Sequence, residues 1–273
     1  MARVSKGNKS STVQFNLNFV YGCQKVSEGC VNCYIDRDPF AHGIERFKLP
    51  DAFSANKNGQ RNVGDFNEES RLKELDKLPN GSWVFVNNVS DTFLSPPAIT
   101  DEMRDRWLGY LADRPQYQFK LCTKRTGQMV AYFRTRKVPN NVWVGSTIEN
   151  RKALELRLPL LLSIDTPNRW INFEPLLEDV SEGLSLKGIS WACVGGETGS
   201  KYRPFRIDWA YKLYMIAQRD HVTFWFEGGN GKNESNRQRG SAFPRDRPEA
   251  DSKRSDGEQT ALFDSNKAVG TGA

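Results

Sequence analysis

The sequence lacks a long hydrophobic run and is poor in histidine. No window of its 273 residues approaches the roughly eighteen apolar side chains of a membrane span, so none is predicted. The basic N-terminus, residues 1–9, has no apolar run behind it, which argues against a signal peptide and predicts a cytoplasmic protein. With 2 histidines and no second CxxC or HxxxH pair, the ligand spacing of a zinc finger is not present.

The composition is that of an ordinary globular protein with a small positive excess. Charged residues make up 26% and hydrophobic residues 38% of the chain, and 39 basic against 33 acidic side chains give a net charge of +6. This excess is compatible with a nucleic acid, a nucleotide or another phosphate-rich partner. It is equally compatible with a role in solubility alone, because no dense stripe of lysine or arginine is visible.

Three of the 5 cysteines lie close together, with the spacing C-x6-C-x2-C. Cys23, Cys30 and Cys33 can hold a [4Fe–4S] cluster whose fourth iron stays open to a ligand that is not protein. The alternative is a zinc ion with the same three ligands and either His42 or Cys122 as the fourth. A third alternative, three unrelated buried thiols, is the least favoured because the cysteines are so tightly clustered.

Short apolar strands alternate with helical segments along most of the chain. Predicted strands cover residues 13–20, 82–87, 118–122, 141–145, 169–173, 189–194 and 222–226. Predicted helices cover residues 70–78, 100–112, 128–136, 152–163 and 207–219, and an interrupted helix over 34–47 precedes an insertion over 48–70. This repeat predicts an α/β fold with a parallel sheet, as a complete or partial (β/α) barrel over residues 1–229. Residues 230–273 are polar and are predicted to be a disordered tail.

Polar residues follow nearly every predicted strand, and in a (β/α) barrel those positions share one face, where active sites are built. They are Asn87, Ser90, Asp91, Thr123, Lys124, Arg125, Ser146, Glu149, Asn150, Glu174 and Glu197. The cysteine loop also follows a strand and joins the same face. A three-cysteine cluster there suggests S-adenosylmethionine (SAM), which can chelate the open iron and yield a 5′-deoxyadenosyl radical.

The candidates for cofactor binding are polar or glycine residues at strand ends. They are Ser146, Glu149, Asn150, Gly195, Gly196, Glu197 and Lys124. Gly196 lets the backbone approach a ligand closely, and Glu197 can pair with an ammonium group. Glu149 and Asn150 can hold ribose hydroxyls, and Lys124 can meet a carboxylate or a phosphate.

Two carboxylates, Asp91 and Glu174, are the candidate catalytic groups. Glu174 precedes Pro175, so we expect it in extended backbone at a strand end. The remaining cysteines, Cys122 and Cys193, lie inside apolar strands and are predicted to be core residues.

The stretch from Gly22 to Tyr34 resembles the cysteine loop of the phage Gp37/Gp68-type proteins, also called the DUF5131 family, a divergent branch of the radical SAM superfamily. Further motifs match in order: VNNVSDTF (86–93), LCTKR (121–125), WVGSTIEN (143–150), FEPLL (173–177) and VGGETG (194–199) with Arg203-Pro204 behind it. The resemblance covers roughly residues 15–227. The C-x6-C-x2-C spacing fits this branch, although C-x3-C-x2-C is common across radical SAM enzymes.

The chain departs from the family pattern at several positions. Phe15 and Phe19 stand where the family usually has tryptophan. Leu94 stands directly after the Ser-Asp-x-Phe motif (90–93), where the family often has a histidine. The last strand ends in Phe-Glu-Gly-Gly (226–229) where the family often has Phe-Lys-Gln-Trp-Gly, so Glu227 reverses a charge. This reversal indicates a specialised substrate.

The resemblance implies a [4Fe–4S] cluster, SAM and an electron donor of the flavodoxin or ferredoxin type. It also implies a phage enzyme in the host cytoplasm, similar to the radical SAM isomerases proposed for thymidine hypermodification. Such an isomerase moves a glycine on thymidine from attachment through nitrogen to attachment through carbon. Other substrates stay open: tRNA, a peptide or a small metabolite. So does a non-enzymatic zinc module that binds nucleic acid.

Overall fold

The computed structural model describes residues 13–33, 35, 64–65, 67–96, 98–198, 201–229 and 248. Three predictions fall on other parts of the chain. The interrupted helix expected over 34–47, most of the insertion expected over 48–70 and the tail expected over 230–273 lie outside the described residues, apart from the few positions just given.

The described chain alternates strands and helices over most of its length. The strands are β1 (Phe15–Leu17), β2 (Val20–Tyr21), β3 (Gly64–Asp65), β4 (Trp83–Val86), β5 (Gln118–Thr123), β6 (Val142–Thr147), β7 (Arg169–Phe173), β8 (Trp191–Gly195) and β9 (Thr223–Gly228). The helices are α1 (Glu68–Leu75), α2 (Asp101–Ala112), α3 (Thr126–Phe133), α4 (Arg151–Leu162) and α5 (Ile207–Arg219), and a short 3₁₀ turn covers Glu28–Cys30.

Seven strands form one sheet in the order β1-β4-β5-β6-β7-β8-β9, and every neighbouring pair is parallel. Because β1 and β9 are the two edges, the described strands form a partial barrel, which confirms the predicted α/β fold in its open form. Residues 174–190, between β7 and β8, form turns without a helix. No helix in the described part of the chain is long and apolar enough to cross a membrane.

Several element boundaries follow from local sequence signals. The predicted bounds of β7 and α5 match the structure at both ends. The predicted cap of α2 is also present, since Thr100 Oγ1 accepts a hydrogen bond from the N–H of Met103. Most other elements differ from the prediction by a few residues at one or both ends.

The first predicted strand, 13–20, is divided because side chains replace the hydrogen bonds of the sheet. Asn18 Nδ2 donates to Asn88 Oδ1 at 2.8 Å, and the N–H of Phe19 donates to Asn87 Oδ1 at 2.9 Å. The chain therefore leaves the large sheet after β1. It then pairs as β2 with β3 in a separate antiparallel sheet and enters the cysteine loop from there.

The two faces of the large sheet are filled differently. The outer face carries aliphatic and phenylalanine side chains that form one core with the helices. The lower part of the inner face carries five buried tryptophans, here called the tryptophan floor: Trp83, Trp143, Trp170, Trp191 and Trp225. Their indole rings pack edge to face or tilted, with neighbouring centroids 5.0–6.2 Å apart where the rings of the first four meet.

A lysine is buried within the tryptophan floor. Lys120 is 1% exposed, and its Nζ lies 3.8 Å from the ring centroids of both Trp170 and Trp191. Two cation–π contacts thus replace part of the hydration that burial removes. Lys120 Nζ also lies 3.7 Å from the sulfur of Cys193, which is buried in the core as predicted.

The floor requires a glycine at position 145. The Trp170 indole lies directly over Gly145, and its Nε1 donates to Leu121 O at 3.0 Å. A Cβ on Gly145 would lie 2.2 Å from Trp170 Nε1, a distance that no side chain can adopt. The close packing of strand and indole therefore depends on the missing side chain.

We expect Gly145→Ala to lower the free energy of unfolding by about 1–3 kcal/mol, because the added methyl group must displace Trp170 and its neighbours. Denaturant unfolding followed by tryptophan fluorescence measures the change. The matched control is Gly109→Ala in α2, where a Cβ meets nothing within 4 Å. That variant should be unchanged or more stable by about 0.5–1 kcal/mol. A Gly145→Ala protein as stable as its parent would contradict the contact.

Candidate active site

A cavity of about 250 Å³ lies at the carboxyl ends of the parallel strands. It sits above the tryptophan floor, because Phe85 and Cys122 both line the cavity and pack against the floor. Residues of the cysteine loop close its outer side. From the sequence-based candidates, the lining includes Cys23, Cys30, Cys33, Asp91, Lys124, Glu174, Gly196 and Glu197. Among the described residues, no three His, Cys, Asp or Glu side chains are already grouped as a metal site.

The cysteine loop is held at the cavity by hydrogen bonds from two strand ends. Ser90 Oγ, which follows β4, donates to Gly22 O at 2.6 Å. Arg125 Nη2, which follows β5, donates to Gln24 O at 2.7 Å. These bonds fix the backbone on both sides of the first cysteine.

Asp91 lies in a buried network with Arg125 and Thr123. Its carboxylate accepts hydrogen bonds from Thr123 Oγ1 at 2.8 Å and from Arg125 Nη1 at 3.0 Å. The same Nη1 lies 3.9 Å from Cys23 Sγ. Burial and, after it, the charge of Asp91 raise the pKa of the Cys23 thiol to about 12, and Arg125 opposes the rise. Arg125 therefore bridges the Asp91 carboxylate and the Cys23 sulfur.

Lys124 and Glu149 lie together beneath the cysteine loop. A Cβ on Gly29 would lie 3.1 Å from both Lys124 Cε and Glu149 Cδ, so the loop backbone rests on these two side chains. Burial lowers the pKa of Lys124, but its negatively charged neighbours, Cys30 first, outweigh burial and the pKa is raised. The Glu149 carboxylate is buried, accepts from Arg157 Nη1 at 2.7 Å and does not line the cavity.

Ser146 and Asn150 also point away from the cavity. Ser146 faces the outer side of the sheet, where its hydroxyl lies 2.5 Å from Thr126 Oγ1. Asn150 caps α4 by accepting from the N–H of Ala153, and its amide donates to Glu28 Oε2 at 3.1 Å. These two predicted cofactor ligands therefore support the surrounding structure instead of lining the site.

Glu197 anchors the far end of the cysteine loop. Its carboxylate accepts from the N–H of Arg203 at 2.7 Å and from Asn32 Nδ2 at 3.0 Å, and it forms an ion pair with the Arg203 guanidinium. Burial raises the pKa of Glu197, but the hydrogen bonds from Arg203 outweigh it and the pKa is lowered. Arg203 Nη2 also donates to Glu28 O at 2.9 Å. The neighbouring Gly196 lines the cavity with its backbone.

Glu174 is the carboxylate at the end of β7, where it lines the cavity. No hydrogen bond or ion pair to this carboxylate occurs among the described residues. Gly195 lies against it: a Cβ there would be 3.3 Å from Glu174 Cδ and 3.1 Å from Glu227 Cβ. Burial, followed by the charge of Glu227, raises the pKa of Glu174 to about 8, while Lys120 and Lys124 oppose the rise.

Sequence reasoning missed the residues that form the inner wall. Phe85, Thr147 and Asn172 line the cavity from inside the strands, and so does Cys122, which was predicted to be a core residue. The signal was strand alternation, because Asn172 stands two residues before Glu174 and shares its face. The sequence analysis considered only polar residues after each strand, and it did not distinguish side chains that face the cavity from side chains that face the helices.

Comparison with known proteins gives a family for this chain. The family model described as "Protein of unknown function (DUF5131)" matches residues 10–261. The chain belongs to the DUF5131 family. This confirms the family that the motifs predict, and the match covers all described residues up to Gly229 as well as much of the tail.

The DUF5131 protein is also similar to solved structures of spore photoproduct lyase. A cysteine-to-serine mutant of that enzyme shares 9% identity at a TM-score of 0.48, covering 81% of this chain and 78% of the other. A cysteine-to-alanine mutant with dinucleoside spore photoproduct shares 10% identity at a TM-score of 0.49, covering 83% and 80%. No curated protein matches the chain.

The raised pKa of Glu174 predicts a pH-dependent stability. The unfolded chain releases this proton near its ordinary pKa of 4.5, whereas the folded protein keeps it up to about pH 8, so stability falls as the pH rises between these values. Glu174→Gln carries no charge at any pH. It should match the parent near about pH 5 and be more stable near about pH 9 by up to about 5 kcal/mol, since each unit of pKa difference is worth about 1.4 kcal/mol.

Thermal melts of the purified protein across this pH range measure the difference. The matched control is Glu155→Gln on the exposed side of α4, which should show no pH-dependent difference from the parent. A Glu174→Gln effect of the same size at every pH would show that the Glu174 carboxyl titrates at its ordinary value.

Proposed function

We propose that the DUF5131 protein is a radical SAM enzyme that acts on a nucleic-acid base. One observation carries the proposal: three cysteines of one loop line a single polar cavity at the carboxyl ends of a parallel sheet. In (β/α) architectures this end of the sheet is where active sites are built. The ordered motif resemblance to the radical SAM superfamily supports the same function.

The donor set fits a [4Fe–4S] cluster. Cys23, Cys30 and Cys33 supply three thiolates and leave one iron open. Cations offset the negative charge of the thiolates, since Arg125 reaches Cys23 Sγ at 3.9 Å and Lys124 is charge-coupled to Cys30 and Cys33. A zinc ion with Cys122 as fourth ligand is the competing arrangement.

With a cluster and SAM bound, and one electron from a flavodoxin- or ferredoxin-type donor, the site would have the chemistry of a 5′-deoxyadenosyl radical available. The chain's own contribution is to bind and orient the cofactor. Lys124 offers a positive charge to the carboxylate of SAM, and Gly196 leaves room for SAM to approach the backbone. Glu149, Asn150 and Glu197 contribute indirectly, because each supports the cysteine loop or the side chains beneath it.

The proposed reaction is the isomerisation of a glycine attached to the 5-methylene group of thymidine. The bond from the glycine nitrogen to that methylene breaks, and a bond from the glycine Cα to the same methylene forms. One hydrogen moves from Cα to the nitrogen, so product and substrate have the same composition and no net electrons are exchanged. Glu174, which keeps its proton to about pH 8, can exchange a proton with the amine.

Cys30→Ala should abolish cluster assembly while leaving a soluble fold, because Cys30 is one of only three proposed ligands. Anaerobic reconstitution should give a brown parent protein with about four iron atoms per chain, and a colourless variant. Cys122→Ser is the matched control and should keep its cluster. A colourless parent that binds one zinc ion and loses it in both variants would establish the four-thiolate zinc site.

Arg125→Gln should make the cluster harder to reduce, because it removes the cation beside Cys23 Sγ and leaves Asp91 uncompensated. A redox titration followed by electron paramagnetic resonance should show a more negative midpoint potential. Arg134→Gln, an exposed arginine at the end of α3, is the control. An unchanged midpoint potential in Arg125→Gln would show that Arg125 does not influence the reduction of the cluster.

The whole proposal is tested by product analysis. Reconstituted protein is given SAM, a reductant and DNA that carries N-linked glycinyl thymidine, and the DNA is digested to nucleosides. The proposal expects an isomeric nucleoside with a free primary amine that forms only when SAM and the reductant are both present. If SAM is cleaved while the nucleosides stay unchanged, the substrate is of another class, such as tRNA, a peptide or a small metabolite.

A further inference from the structure

The inner end of the cavity is a row of side chains on neighbouring strands. Phe85 on β4, Cys122 on β5, Thr147 on β6 and Asn172 on β7 all line it. Thr147 and Asn172 are direct partners in the strand register, and the Thr147 hydroxyl lies 3.4 Å from Cys122 Sγ. This row lies immediately above the tryptophan floor and is separate from the cysteine loop, which closes the opposite side.

One side of this row is aromatic. Phe85 is half-buried, and its ring meets the Trp170 ring edge to face, with centroids 6.1 Å apart. Because Trp170 holds the ring from below and Phe85 lines the cavity, a face or edge of the ring is available to a ligand. Flat unsaturated rings are the ligands that such a surface recognises best, and base–aromatic contacts are a common mode of nucleobase binding.

The other side of the row offers an amide with unused bonding capacity. The sole polar contact of the Asn172 side chain among the described residues is from Nδ2 to Glu174 O at 3.5 Å, the outer limit of a hydrogen bond. Its Oδ1 accepts nothing from the described part of the chain. A half-buried amide without strong partners leaves both a donor and an acceptor for a bound molecule.

We infer that the inner end of the cavity binds a thymine or uracil ring, with Asn172 pairing to the imide edge of that ring. The imide edge presents N3–H between two carbonyl oxygens, which is an acceptor–donor–acceptor sequence. Asn172 Oδ1 can accept from N3–H while Nδ2 donates to one carbonyl. The inference rests on the proposed function, which supplies a thymidine base as substrate, and it adds the residue that recognises this base and the end of the cavity where the base binds.

A second donor on the same strand favours thymine over cytosine. Glu174 stands two residues after Asn172 on the same face, and its pKa of about 8 keeps it protonated at neutral pH. A protonated carboxyl can donate to a carbonyl oxygen, so the wall supplies two donors and one acceptor. Cytosine replaces one carbonyl with an amino donor and N3–H with an acceptor, and therefore matches this set less well.

The test combines a change in the ligand with a change in the protein. Binding of thymidine, N3-methylthymidine and 5-methyl-2′-deoxycytidine to the reconstituted protein with SAM is measured by calorimetry. In the parent protein, thymidine should bind about tenfold more tightly than either analogue, because each analogue leaves buried polar groups unpaired. In Asn172→Leu, thymidine should fall to the affinity of N3-methylthymidine, whose own affinity should barely change.

Asn140→Leu, an exposed asparagine before β6, is the matched control and should keep the tenfold preference. Equal binding of thymidine and N3-methylthymidine to the parent protein would overturn the inference, as would a preference retained in Asn172→Leu or an absence of thymidine binding at millimolar concentration. The parent comparison needs no variant and so does not depend on how Asn172→Leu folds.

The result of the binding experiment does not depend on whether the cluster cleaves SAM. If SAM is not cleaved but the preference for an intact imide edge is present, the radical SAM proposal fails and the base site stands. If SAM is cleaved but no preference is seen, the base site fails alone.

Discussion

The shape of the site depends on how the inner face of an open parallel sheet is filled. A barrel interior must be packed with side chains, and here the lower half takes five indole rings. That packing is feasible because Gly145 has no side chain, which lets Trp170 lie flat on the strand. Above the indoles the inward residues become smaller and more polar, and the space that they leave is the cavity.

The charged residues around this cavity mainly hold the cysteine loop in place. Arg125 ties the loop to Asp91, and Arg203 ties it to Glu197, with each arginine also binding a loop carbonyl. A glycine-containing loop of this length has few packing contacts of its own. A buried ion pair at one of its ends and a partly exposed ion pair at the other therefore help to position the loop. Arg125 also places positive charge beside the Cys23 sulfur, which favours a thiolate at a metal.

Much of the architecture was predictable from the sequence, because period-two strands and capped helices are local signals. β7 and α5 were predicted at both ends, and the family was identified from ordered motifs. The site was less predictable, because a polar residue at a strand end can point its side chain either into the cavity or towards the helices. Ser146 and Glu174 both stand at the ends of strands, yet one faces the helices and the other the cavity. The pairing of Asp91 with Arg125 and that of Glu197 with Asn32 join residues far apart in the chain, which no local pattern encodes. The inner wall was missed for a related reason, since Asn172 lies inside a strand that reads as core.

Lys120 gives the tryptophan floor an unusual electronic property. Removing an electron from an indole ring creates a positive charge, and the Lys120 ammonium 3.8 Å from two of the ring centroids makes that removal less favourable. Closely spaced indoles would otherwise be a convenient route for oxidising equivalents to leave a reaction site. A cation embedded among them makes the floor a poor electron donor. Under the proposed radical chemistry, the lysine that completes the packing would also protect the tryptophan floor from oxidation.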